Sequence, residues 1–311
     1  MRNNSLYLFL LLLVLLSGCA TEPRQFTDTP TSGSIHIASD ESYLPLVKTL
    51  IHTFQSIYTD ARINVTYAGE QEVLRHLLFD TTRFVVMNRP LDTAEINFFD
   101  SMTISPQTVK IAYDALALII HPQNPDSMLL LSEIKPVFTG DVKVWKNIKN
   151  KNGLNEKITV VFDNNGSGNV RMIRKYFNID TLGTNCYAVN GNPEVIDYVS
   201  KNKGAMGVIS VNWISDSDDT LTVRFLKNVR VVGVGSKVNT DGFGNYYRPY
   251  QGFIADKSYP FIREVYIISK EARSGLGTGL SAFIAGDKGQ RIVLKSGLVP
   301  ATMPVRIVEL K

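Results

Sequence analysis

A turn in the middle of the chain has the residue types and spacing of a small-ligand site. A buried strand at residues 158–162 leads into a polar turn, after which apolar residues recur at helical spacing. The polar and glycine residues at this junction are Asp163, Gly166, Ser167, Gly168 and Asn169. Ser167 or Asn169 can cap the helix, whose first backbone N–H groups lack acceptors inside the helix. This arrangement favours an anion or a polar ligand group, although the same turn also serves as a plain connection in α/β proteins.

Further turns in the N-terminal part of the chain carry polar groups that the same ligand could use. Strands alternate with helices from residue 33 onward, and this order predicts a mostly parallel sheet with functional groups at the carboxyl ends of its strands. The turns that meet this condition are residues 39–42, 68–72 and 87–91. Their candidate ligand-binding residues are Asp40, Glu41, Ser42, Asn88 and Arg89.

The chain offers little for metal or acid–base chemistry. The four histidines are far apart, and none lies three or four residues from another ligand in a recognisable metal arrangement. Cys186 has no catalytic motif around it and reads as a buried or half-buried small side chain. We therefore expect no metal, no cofactor and no enzymatic activity.

The first 33 residues predict export and anchoring. An apolar stretch from Leu6 to Leu16 is too short to span a bilayer, and small residues and Cys19 follow it. The run Leu16-Ser17-Gly18-Cys19 resembles the lipobox of bacterial lipoproteins, in which the cysteine is acylated and becomes the first mature residue. On this interpretation residues 1–18 are a signal peptide and residues 19–33 a lipidated tether; the alternative is a plain cleaved signal with an incidental cysteine.

Composition and charge limit the possible partners. The chain has 311 residues, of which 44% are apolar and 20% charged, as expected for a folded protein of two domains. Its formal charge of +4 falls to about +3 when Arg2 leaves with the signal, which is too small to imply nucleic-acid binding. The mature folded part contains only Cys186, so no internal disulfide is possible. We expect a monomer.

The order of elements predicts two α/β lobes, the first interrupted by the second. A long extended run at residues 112–121 marks one crossing between lobes, and residues 251–269 contain the return. Lobe I should comprise residues 34–113 and 253–311, and lobe II residues 114–252. Each lobe should be a mostly parallel sheet flanked by helices.

The chain resembles the PstS-like phosphate-binding proteins of ABC transporters, which have the type II periplasmic binding protein fold. The segments that carry the resemblance cover nearly all of residues 34–300. They are SIHIASDESYLPL (34–46), VVMNRPLD (85–92), DALALIIHPQNP (114–125), FTGDVKVW (138–145), NNGSGNVRMI (164–173), GAMGVIS (204–210) and FIAGDKGQRIVLKSGLVP (283–300).

The resemblance implies a ligand held between the lobes by a hydroxyl of the first turn and by an Arg-x-x-Gly-Ser-Gly-Thr turn in the second lobe. Ser42 fits the first position, and residues 166–168 fit the second turn. Other positions depart from the family pattern. Asp163 replaces the arginine, Asn169 the threonine and Arg83 an aspartate, while Asp40, Glu41, Glu70 and Glu72 replace small residues.

Two functions follow from this pattern. The first is an extracytoplasmic solute-binding lipoprotein that closes two lobes on a small oxyanion, phosphate by resemblance, and presents it to an ABC permease. Arg83 or Arg89 would then supply the charge partner of the anion. The second is a cell-envelope sensor or interaction module of the same fold that binds another ligand or a peptide. The order of motifs favours the first function, and the acidic turns favour the second.

Overall fold

The fold is available as a computed structural model, which describes residues 28–148, 153–216, 218–238 and 244–305. The predicted signal peptide, the predicted lipidation site Cys19 and residues 20–27 of the tether lie outside the described residues. Among the helices of the described ranges, none has the length and apolar character needed to cross a bilayer.

Strands and helices alternate along most of the described chain. The strands are β1 (Gly33–Asp40), β2 (Ala61–Ala68), β3 (Phe84–Met87), β4 (Gln107–Ile120), β5 (Met128–Leu130), β6 (Thr159–Phe162), β7 (Cys186–Ala188), β8 (Ala205–Ser210), β9 (Arg230–Val231), β10 (Gly233–Val238), β11 (Gly244–Tyr247), β12 (Ile262–Ser269) and β13 (Val299–Pro300). The helices are α1 (Leu44–Ile57), α2 (Glu70–Leu78), α3 (Thr93–Ser101), α4 (Leu131–Thr139), α5 (Gly168–Phe177), α6 (Asn192–Lys201), α7 (Thr220–Asn228), α8 (Gln251–Ala255), α9 (Leu276–Ala285) and α10 (Asp287–Lys295).

Lobe I is built on strands in the order β2-β1-β3-β12-β4. The pairs β1–β2 and β1–β3 are parallel, whereas β12 runs antiparallel to both β3 and β4. Ile35 and Ile37 of β1 pack against Leu46, Leu50 and Phe54, which recur every four residues on the buried face of α1. Alternation in the strand and helical spacing in the helix therefore produce one shared core.

Lobe II repeats the arrangement with the strand order β4-β8-β6-β7, in which β6 is parallel to both β8 and β7. Its core includes Val160 and Phe162 of β6, Ile173 of α5 and Val195 of α6. A small sheet of β5, β10 and β11 lies beside it. The parallel pairs thus form the outer part of each lobe, and the strands that join the lobes are antiparallel.

One long strand joins the two lobes. Along the 14 residues of β4, pairing with β12 extends to Ala115, and pairing with β8 begins at Leu116. The chain returns where the backbone N–H of Leu116 donates to the carbonyl of Phe261 over 2.9 Å. Because Ile254, Tyr259 and Phe261 pack in the lobe II core, this return lies near residue 261, later than the expected boundary at 252/253.

This topology brings the carboxyl ends of β1, β3, β6 and β8 to the same place between the lobes. The order of strands changes direction there, at the crossing strands β4 and β12. In open α/β sheets such a position is where ligands bind.

Candidate ligand site between the lobes

Lobe I contributes a buried carboxylate held by two donors. Asp40 ends β1, is fully buried, and accepts hydrogen bonds of 2.9 Å from the backbone N–H of Ser42 and from the side-chain amide of Asn88. Asn88 follows β3, which pairs in parallel with β1, so that the two strands end side by side. Ser42 is fully buried in the short 3₁₀ turn Glu41–Tyr43.

Lobe II contributes the central turn and the start of α5. Asp163 follows β6 and is only 2% exposed. Ser167 caps α5, since its hydroxyl oxygen accepts from the N–H of Val170 over 3.3 Å. Asn169, fully buried in the first helical turn, points its side chain towards the lobe boundary, where it meets Arg263. The first N–H groups of this helix have no acceptor within the helix, which makes its N-terminus favourable for negative charge.

The crossing strands contribute a buried ion pair. Arg263 of β12 lies directly opposite Asp114 of β4, and its Nε donates to an Asp114 carboxylate oxygen over 2.8 Å. The Arg263 Nη1 group donates to the Asn169 side-chain oxygen over 2.6 Å, and Ser210 donates to Asp114 over 2.9 Å. The guanidinium also lies 5.3 Å from the centre of the Tyr43 ring. Arg263, on a strand that joins the lobes, therefore contacts both Tyr43 of lobe I and Asn169 of lobe II.

Several contacts join the lobes directly. The side-chain amide of Asn192 in lobe II donates to Glu41 of lobe I over 2.5 Å, and within lobe II the Asn192 side-chain oxygen accepts from the N–H of Ser210 over 3.0 Å. Arg171 of α5 donates to both carboxylate oxygens of Glu70, at 2.5 and 2.9 Å. The lobes are consequently in contact around the buried cluster.

Besides the Nη2 group of Arg263, which lies 2.7 Å from an Asp114 oxygen, five buried side-chain atoms of this cluster have no hydrogen-bond partner of good geometry among the described residues. They are Ser42 Oγ, Tyr43 Oη, Asp114 Oδ1, Asp163 Oδ1 and Asn169 Nδ2. Buried polar groups are normally satisfied, because an unpaired one costs about 1–3 kcal/mol. Three of the five can donate and two can accept, so the cluster fits a small ligand that presents several oxygens and a proton.

Burial shifts the protonation of the carboxyl groups that face this cluster. Burial raises the pKa of Asp163 to about 7, and the neighbouring Asp40 carboxylate adds to the effect. Burial likewise raises the pKa of Glu41 to about 7 and shifts that of Asp40 upward. Ionising all three together is unfavourable, since each disfavours charge on its neighbours.

The candidate residues from the sequence fall into two groups in the structure. The cluster brings together Asp40, Glu41, Ser42, Asn88, Asp163, Ser167, Gly168 and Asn169. Gly166 lies at its edge, where its carbonyl accepts from the N–H of Gln71 over 3.2 Å.

The two expected charge partners of the ligand lie elsewhere. Arg83 precedes β3 at the opposite end from Asn88, where it pairs with Asp28 at 2.5 Å and Glu271 at 3.0 Å. Arg89 is engaged by Glu95 through two hydrogen bonds of 2.7 Å. The structure thus does not bring Arg83 to the cluster, where Arg263 is a buried cation paired with Asp114.

Sequence reasoning did not select several residues of the site. They are Tyr43, Asp114, Arg171, Asn192, Ser210 and Arg263; Glu70 was noted only as a departure from the family pattern. A signal for two of them does exist, because Asp114 and Arg263 are charged residues of opposite sign within two strands that are mostly apolar. Such charges are rarely buried unless they pair.

The described ranges contain no group of three or more His, Cys, Asp or Glu residues arranged to hold a metal ion. The half-buried Cys186 lies in lobe II, where burial raises the pKa of its thiol to about 11.

Two α/β lobes that are joined by crossing strands and enclose a polar site are the architecture of solute-binding proteins that close on a small ligand. Comparison with known families agrees with this class. A family model described as a PBP superfamily domain matches residues 25–288, and the chain belongs to this family.

Individual relatives are distant but align over most of the chain. The phosphate-binding protein PstS of Pseudomonas aeruginosa is 21% identical over 296 residues, which cover 89% of this chain and 85% of the relative. PstS of Bacillus subtilis is also 21% identical, covering 97% and 96%. Among solved structures, a phosphate ABC transporter substrate-binding protein from Clostridium perfringens with bound phosphate superimposes with a TM-score of 0.73 at 24% identity, covering 87% of this chain and all of that one.

Proposed function

We propose that this protein is an extracytoplasmic phosphate-binding protein that closes its two lobes on phosphate and presents it to an ABC permease. The observation that carries the proposal is the set of five buried, unpaired polar atoms beside the Arg263–Asp114 pair. Hydroxyl and amide groups of Ser42, Tyr43 and Asn169 can donate to phosphate oxygens, and the helix start at Gly168 and Asn169 can add backbone donors.

The unpaired carboxylate oxygens favour phosphate over sulfate. Phosphate carries a proton near neutral pH, and Asp114 Oδ1 or Asp163 Oδ1 can accept it. Sulfate carries no proton at that pH, so its oxygens would face the same carboxylates with nothing to donate. An unpaired buried charge is costly, and this cost should exclude sulfate.

The relatives support the biological setting. Curated relatives from Pseudomonas aeruginosa and Bacillus subtilis are phosphate-binding proteins, and the solved neighbour from Clostridium perfringens holds phosphate. A binding role without catalysis agrees with these names. We extend the proposal to a monomer and, on the basis of the lipobox pattern, to lipidation at Cys19 that anchors the protein to a bacterial membrane facing the periplasm or exterior.

Calorimetric titration tests the proposal. Phosphate should bind with micromolar or tighter affinity, and sulfate should bind at least a hundredfold more weakly. Asn169→Ala should weaken phosphate binding at least tenfold, because it removes one donor and the partner of Arg263. Asn165→Ala, an exposed asparagine of the same turn, is the matched control and should change affinity less than twofold. Absence of phosphate binding by the unmodified protein, or equal binding of sulfate, would overturn the proposal.

A further inference from the structure

Arg171 makes a contact between the lobes that the ligand site does not require. It lies one helical turn after Gly168, on the helix that begins at the central turn. Its guanidinium reaches lobe I, where Nε and Nη2 donate to the two carboxylate oxygens of Glu70 at 2.5 and 2.9 Å. The Nη2 group also donates to the side-chain oxygen of Asn88, the residue that holds Asp40.

Glu70 depends on this contact. Its side chain is only 4% exposed, and a carboxylate at that depth needs a cation or several donors. Arg89 approaches a Glu70 oxygen to 3.5 Å, but its two short bonds go to Glu95. Arg171 is thus the main partner of Glu70, and the pair has the two-point geometry that makes arginine–carboxylate contacts strong and directional.

The position of Arg171 suggests what the pair does. Two surface cavities, of about 580 and 500 Å³, open beside the lobe boundary, and Arg171 lines both. Ser167 of the ligand site borders the first cavity, and Arg263 borders the second. Arg171, like Arg89 and Lys175, therefore lies beside both openings, next to residues of the buried cluster.

We infer that the Arg171–Glu70 ion pair stabilises the closed state of the two lobes and sets the rate at which a bound anion leaves. The pair joins lobe II to lobe I, so it cannot persist when the lobes separate. It should stabilise the closed state and have little effect on the first encounter with a ligand, which needs an open cleft. The anion itself rests on the function proposed above, whereas the effect on lobe closure does not.

Release kinetics test the effect of the Arg171–Glu70 pair on the closed state. Arg171→Met and Glu70→Gln should each raise the rate of phosphate release about tenfold in stopped-flow measurements and change the association rate less than threefold. The double variant should release phosphate no faster than the faster single variant, because both substitutions remove the same contact. Arg174→Met is the matched control: this exposed arginine lies three residues further along the same helix and should leave the release rate unchanged.

A second measurement needs no ligand. Spin labels on exposed residues of the two lobes, introduced by Asp100→Cys and Lys203→Cys with Cys186→Ser, report the distance between lobes in phosphate-free buffer. Arg171→Met should shift this distribution towards the open form, and Arg174→Met should not. Unchanged release rates together with an unchanged distance distribution would overturn the inference that this pair stabilises the closed state. A shift in the distance between lobes in a protein that binds no phosphate would support the role of the pair in lobe closure and would contradict the proposed function.

Discussion

At the scale of residues, the site places more carboxyl groups than cations in a buried space. Asp163 and Glu41 approach the same Asn192 amide from opposite lobes, at 3.5 and 2.5 Å. One amide group cannot compensate two buried negative charges. Keeping at least one of the two carboxyls protonated relieves the repulsion, in agreement with the raised pKa of both groups.

A pH dependence of stability follows from Asp163. Its pKa is about 7 in the folded protein, against an ordinary value of 3.8, so the folded state holds a proton that the unfolded state has lost. The contribution of Asp163 to stability is therefore full below about pH 4, falls as the pH rises towards 7, and stays low above that. Asp163→Asn should raise the free energy of unfolding by about 2 kcal/mol at pH 8 and change it little at pH 4.

Chemical denaturation at both pH values in phosphate-free buffer measures this difference. Asp197→Asn, on an exposed turn of α6, is the control and should show no such dependence on pH. Equal effects of Asp163→Asn at pH 4 and pH 8 would mean that Asp163 is ionised throughout.

The sequence could predict the residues of the site that lie in turns, and it could not predict those that reach it through tertiary pairing. Ser42, Asp163 and Ser167 lie in turns at the carboxyl ends of strands, where α/β sheets are expected to carry ligand-binding groups. Arg263 is 94 residues from Asn169, and the register of β12 against β4 pairs it with Asp114, so neither contact can be read from a local pattern. The expectation that Arg83 lies at the site was wrong, because Arg83 precedes β3 and the length of this strand separates it from the cleft.

At the scale of elements, the start of α5 must approach lobe I very closely. A Cβ atom on Gly168 would lie 1.8 Å from the side-chain amide nitrogen of Asn88, so this side chain, which is held by hydrogen bonds to Asp40 and Arg171, would have to move. Glycine at this position therefore permits closure, in addition to any role in turn geometry.

Gly168→Ala should accordingly keep the lobes apart. We expect phosphate affinity to fall at least tenfold, while the free energy of unfolding changes by less than about 1 kcal/mol, because neither lobe core is touched. Asn88→Ala combined with Gly168→Ala should recover part of the affinity by removing the obstructing amide. Gly252→Ala, whose added methyl group would meet nothing within 4 Å, is the control. Full affinity in Gly168→Ala would contradict the close approach of the lobes.

The sequence predicted the elements with strong periodicity and missed the weak ones. Apolar residues at helical spacing predict a helix at residues 43–57, and the apolar run at 84–87 predicts a strand; α1 and β3 match these predictions. The small sheet of β5, β10 and β11 was not expected, because β5 has three residues and β10 contains two glycines. Such short, glycine-rich segments carry no alternation long enough to detect.

At the scale of the whole molecule, the fold is a pair of lobes that share one long strand. The sequence predicted both lobes and the interruption of the first by the second. It set the return crossing too early, since residues 254–261 pack with lobe II before β12 begins. The antiparallel direction of β12 and β4 places Asp114 and Arg263 at the boundary, where each lobe contributes the rest of the site.

The central claim is that a tetrahedral oxyanion binds in the buried cluster between the lobes. Arsenate has the shape and protonation of phosphate, and arsenic gives an anomalous X-ray signal that fixes its position. Crystals of the phosphate-free protein with arsenate should show one strong anomalous peak in the cluster, placed so that the arsenate oxygens lie within hydrogen-bond distance of Ser42 Oγ and Asn169 Nδ2. A peak confined to the exposed Arg174 and Lys175 surface, or no peak at saturating arsenate, would contradict this account.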